Sequence, residues 1–100
     1  MNITREDCIA LSGLDEAEIA AIAEHEHIDP MTAAALAQCL LHQPHGADQV
    51  REMIVDDVRA ALKRRDVRHA KELVVALHHF DSEHERELRT RARKRSQDTD

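Results

Sequence analysis

The apolar positions of this chain recur three and four residues apart, and no stretch alternates with the period of two that a half-buried strand requires. The pattern divides into five helical segments. Thr4 can cap a short first one with Ile3, Cys8, Ile9 and Leu11 on one side, ended by Gly13. The next start has the strongest local signal. Asp15 is placed to cap, Glu18 to reach back and complete a capping box, and Leu14 to pack against Ile19 as a hydrophobic staple. Asp29-Pro30 opens a third segment, because Asp caps and Pro suits the first helical position. Pro44 and Gly46 in QPHGAD break that helix. A fourth carries Val50, Met53, Ile54, Val58, Ala61 and Leu62 at helical spacing, and Asp66 then caps a fifth with Ala70, Leu73, Val74 and Leu77.

These signals predict helices over 5–12, 16–27, 30–43, 47–65 and 67–80, the last two forming an antiparallel hairpin across a short turn. The third has the least polar surface. In Met31 to Leu41 only Thr32 and Gln38 interrupt the apolar run, and Ala33, Ala35, Leu36, Ala37, Leu40 and Leu41 spread around most of the cylinder. The expectation is therefore an all-α bundle of about five helices around a central apolar helix, 31–41. That segment is far short of the roughly 20 residues that cross a bilayer.

Residues 1–81 read as the bundle domain. From Ser82 the sequence SEHERELRTRARKR has good helix formers, with Glu85 to Arg89 and Glu87 to Arg91 as supportive pairs, but only Leu88 and Ala92 to bury. Residues 82–100 thus read as a charged helical extension, either separate or continuous with the fifth helix, and a disordered tail.

Composition sharpens this picture. Fifteen Ala, nine Leu, six Ile and six Val stand against a single aromatic residue, Phe80, so helices can approach closely with few large side chains to set their packing. Cys8 and Cys39 are isolated, with neither a CxxC nor a second pair, which fits two small buried hydrophobes in a reducing compartment. The acidic start MNITREDCIA lacks the basic and apolar regions of a signal peptide, and cytoplasmic residence is expected.

The net charge of −6 is unevenly spread. Residues 1–58 carry two Lys/Arg against twelve Asp/Glu, a net of −10, and residues 59–95 carry twelve against six, a net of +6. Acidic and basic helices packing side by side account for this more simply than a polyanion-binding face.

The run Ala21 to Ile28, AIAEHEHI, followed by the small-residue helix, by Met53-Ile54-Val55-Asp56-Asp57-Val58 and by Leu77-His78-His79-Phe80, resembles a group of short uncharacterised helical bacterial proteins over residues 14–80. The resemblance implies a compact all-helical fold and carries no activity or ligand.

Eight His residues invite a metal hypothesis. Glu24 and His27 form the Glu-x-x-His of di-iron bundles, but Glu24 projects away from the inward side set by Ile19, Ile22 and Ala23, and no second such motif exists. Glu26 and Asp57 instead project onto apolar faces, where a carboxylate needs a partner or shifts its pKa upward. The simpler reading has Glu26 bonding the start of the third helix and Asp57 paired with a His, an Arg or a helix start. The functional alternative joins Glu26 and Asp57 with His27, and with His25 or His42, in a mixed O/N site for Zn or Fe.

No Gly-rich elbow or phosphate-cradling loop accompanies Cys8, Ser12 or Cys39, so no enzyme is expected. The basic RTRARKR offers a nonspecific nucleic-acid contact, without aromatics for stacking. The reading that remains is a small protein-interaction or regulatory module, with an unidentified protein partner or a second copy of itself, and without a membrane.

Overall fold

The computed structural model describes residues 13–88, and the regular structure among them is entirely helical. Four helices follow one another: α1 (Glu16–Glu26), α2 (Pro30–Leu41), α3 (Gly46–Lys63) and α4 (Val67–Glu83). Helical geometry resumes over 85–88 after a break at His84. The expected helix at 5–12 and the tail beyond 88 lie outside the described residues.

The local signals act as their chemistry dictates. Glu18 N–H donates to Asp15 Oδ1 at 2.8 Å and Asp15 N–H to Glu18 Oε1 at 2.9 Å, which completes the capping box. His27 ends α1 in the left-handed region at φ 58°, and the Ile28 N–H returns to the Ala23 carbonyl. Asp29 accepts from both the N–H and the hydroxyl of Thr32. Asp66 accepts from the His69 N–H, and Arg65, also left-handed at φ 62°, turns the chain from α3 into α4.

The core lies between α1, α3 and α4, with Ile19, Ile22, Val50, Ile54, Leu73 and Phe80 as its large members. Helices α1 and α3 each pack on all three others, while α3 and α4 share the most extensive contact and run antiparallel. Helix α2 is therefore not the centre. It buries only Ala33, Ala34 and Ala37, with Leu36, Leu40 and Leu41 half-buried. Met31, Ala35 and Cys39 are exposed, so Cys39 is not the buried hydrophobe that its isolation suggested. The reason is area. Alanine-lined helices bury their small face by close approach to α1 and α3, and no further helix among the described residues covers the other side.

Gly46 marks that approach. A Cβ there would lie 1.6 Å from the Leu40 carbonyl oxygen, so the α2–α3 corner closes only on glycine. At the other end, α4 runs past residue 81 to Glu83, His84 stacks on Phe80 with ring centroids 4.2 Å apart, and Leu88 packs against the core.

Candidate functional site

The charged halves of the chain meet through a few cross-helix contacts, most of them made by histidine. Cross-helix pairs join His25 of α1 to Asp56 of α3, Glu24 of α1 to His69 of α4, and Asp15 before α1 to His79 of α4. Histidines thus stand opposite acids where the sequence suggested Lys and Arg, and a further pair, Arg51 to Asp81, runs from the acidic half to the basic one. The consequence is a basic end of the molecule. Arg59, Lys63, Arg64, Arg65, Arg68 and Lys71 are all exposed around the α3–α4 turn, accompanied between residues 59 and 71 by Asp66 alone among acids.

The same end carries apolar surface. Leu62 and Val67 are each 54% exposed and Val75 69%. With Val58, Ala70, Lys71 and Val74 they line a groove of about 420 Å³ between the C-terminal half of α3 and the N-terminal half of α4. The inward stripe expected on α3 ends at Ala61, because Leu62 lies one position round the helix and falls outside the closing hairpin. Every cation of the rim either follows a groove residue in sequence, as Arg59, Lys63 and Arg68 do, lines the groove, as Lys71 does, or sits in the turn.

The metal candidates named from sequence are scattered. Glu26 is exposed rather than inward, since α1 ends there and the left-handed His27 swings the chain away before anything covers it. His27 itself is exposed. His42 is exposed and its Nδ1 donates to the Gln38 carbonyl one turn back at 2.7 Å. His25 is half-buried, 3.3 Å from Asp56 and 3.5 Å from Glu26. None of the five joins the one group of metal-ligating side chains that meets among the described residues.

Asp57 alone lies inward as projected, 4% exposed and with Oδ2 unpartnered. Burial pushes its carboxyl up to about 7, helped by the charges of Glu24 and Asp56 and opposed by His25 and His69. It is neither the cap nor the ion-pair partner expected, but a buried carboxyl whose Oδ2 has no hydrogen-bond partner. His69 moves upward as well, through its bond to Glu24.

Two features have no signal of their own in the sequence. Val58, Leu62, Ala70 and Val74 of the groove carry the spacing of core stripes, Val67 and Val75 carry none, and Glu18 carries the spacing of a cap. Glu18 is fully buried, and burial raises its carboxyl to about 7 against the lowering effect of the Asp15 N–H.

No helix among the described residues is long and apolar enough to cross a membrane. In comparisons with protein-family models, curated proteins and solved structures, no match to the chain was found.

Proposed function

We propose that this chain is a small non-enzymatic interaction module whose α3–α4 groove receives an amphipathic helix with acidic flanks. The observation that carries the reading is the coincidence of Leu62, Val67 and Val75, each more than half exposed, with six exposed cations around the same groove. Large exposed aliphatics beside a concavity mark contact surfaces, and the parallel ridges of two helices take the side chains of a third at i, i+3, i+4 and i+7. From Val67 to Val75 the groove spans about 12 Å, some two turns of such a partner.

Charge selects the occupant. In a twofold dimer through this face each basic rim would meet the other, which like-charge repulsion disfavours. A partner rich in Glu and Asp meets six cations, of which Arg59 and Arg68 already have loose partners on their own helices in Asp56 and Glu72. A groove also differs from the protruding aromatic and aliphatic face by which helices enter a lipid interface, and the one aromatic residue of the chain, Phe80, is buried. The cytoplasm suits such a role.

The test is titration of the full-length chain against a labelled synthetic helix with Leu at i, i+3, i+4 and i+7 and Glu on its flanks. Saturable, salt-sensitive binding is expected, weakened at least about tenfold by Leu62→Asp or Val75→Asp with unchanged circular dichroism, a loss of about 1.4 kcal/mol or more. Binding indifferent to both variants would refute the groove. Binding only to anionic vesicles, or self-association that Leu62→Asp abolishes, would reassign the face to lipid or to a second copy.

A further inference from the structure

Three carboxylates and an imidazole converge at the opposite end of α4 from the groove. Asp15 and Glu18 come from the capping box of α1, and His79 and Glu83 stand one helical turn apart on α4. His79 Nδ1 lies 2.6 Å from Asp15 Oδ2, 3.1 Å from Glu83 Oε1 and 3.6 Å from Glu18 Oε2. The four ligand atoms all fall within 4.8 Å of one another.

The capping box accounts for only half of Glu18. Its Oε1 accepts the Asp15 N–H, whereas its Oε2 is buried without a hydrogen-bond partner and faces into the cluster. A side chain with 0% exposure and a free carboxylate oxygen is poorly explained by capping, which needs one oxygen and is ordinarily met at the surface. Three acids around a single imidazole also leave an excess of negative charge even when the ring is protonated. A dication placed among them would satisfy both the orphaned oxygen and the excess.

We propose that Asp15, Glu18, His79 and Glu83 form a binding site for one first-row divalent cation, with Zn(II) as its best match. Four donors of one nitrogen and three oxygens suit tetrahedral zinc, whose bonds of about 2.0–2.2 Å set its ligands about 3.4 Å apart. The contacts of His79 bracket that separation, so its contact with Asp15 has to open and the wider spacings of the cluster have to close. Ca(II) prefers six to eight oxygens and Mg(II) retains its waters, so neither suits a four-donor set that includes imidazole. The half-exposed His79 and Glu83 leave a path of entry, and Glu18 forms the buried floor. The site joins the first turn of α1 to the last of α4, so metal would tie together two elements far apart in sequence.

The experiment is calorimetric titration of chelator-washed full-length protein with Zn(II), together with thermal melts and the visible absorption of the Co(II) form. One equivalent is expected to bind, to raise the melting temperature, and with Co(II) to give the intense bands of four-coordination. His79→Ala and Glu83→Gln alter side chains that are 52% and 36% exposed and should fold. Each is expected to weaken binding by more than the roughly 10–100-fold that loss of an outer-sphere partner costs. Glu26→Gln and His27→Ala should change nothing. No binding, binding that survives both cluster variants, or binding lost in His27→Ala would each overturn the assignment.

Discussion

Arg51 of α3 grips Asp81 of α4 with two prongs, Nε to Oδ1 at 2.8 Å and Nη2 to Oδ2 at 3.3 Å. The pair closes the open end of the α3–α4 hairpin, one residue beyond Phe80, the largest fully buried side chain of the core. Planar fork-to-carboxylate geometry is the one arrangement in which a half-exposed ion pair contributes reliably, though at most about 1 kcal/mol.

Ending the chain after Phe80 therefore removes more than surface. Asp81, the His84 ring stacked on Phe80, and Leu88 against the core all go. A truncation after Phe80 is expected to lose about 2–4 kcal/mol in denaturant unfolding, and one after Asp81 somewhat less, since the Arg51 pair survives. Unchanged midpoints in both would show that α4 ends functionally at Phe80.

Asp57 sets the sign of a pH dependence. Its carboxyl ionises near its ordinary 3.8 in the unfolded chain but only at about 7 in the folded one. Between these values the folded state holds a proton that the unfolded state has released, so stability falls as pH rises through the window and this contribution is fully lost above about 7. His69 acts in the same direction, because Glu24 raises it and its pairing is lost as it deprotonates. Glu18, raised by burial to about 7 as well, adds to the same slope. Asp57→Asn should therefore reduce the slope between about pH 4 and 7 without abolishing it, and be more stable than the native chain at pH 8 by about 1–3 kcal/mol. A variant less stable at pH 8 would show that the core depends on the charged form.

Gly46→Ala should be severely destabilising, by about 3 kcal/mol or more, because the added methyl would overlap the Leu40 carbonyl and neither backbone can yield without separating α2 from α3. Gly13→Ala meets no such neighbour, and its cost is limited to the positive φ of 77°. Unfolding curves of the two variants, compared directly, check the distinction.

His27→Gly should be neutral or stabilising by about 0.5–1 kcal/mol, since the left-handed C-terminal position of α1 is one that glycine adopts without strain. A denaturant-unfolding curve checks this, and an unaltered Zn(II) isotherm of the same variant checks that His27 is not a ligand.

Sequence alone determined the helices among the described residues, with ends within about three residues, since three of their four starts are contacts between residues at most three apart, whereas α3 begins at Gly46 with no side-chain cap. Asp15 with Glu18, Asp29 with Thr32 and Asp66 with His69 are visible as short motifs and form as written. It also placed Asp57 inward, because one helix face is a local property. What faces what was not local. Apolar density made residues 31–41 look central, yet alanine offers little area to cover, and the helices richer in Ile, Val, Leu and Phe took the middle. Glu18 and His79 stand 61 residues apart, each inside an ordinary spacing, Asp-x-x-Glu and His-x-x-x-Glu. Only the packing of α4 against the start of α1 turns two unremarkable helical pairs into one four-donor cluster. In the same way, only the closing angle of the hairpin decides that Leu62 and Val75 remain in water.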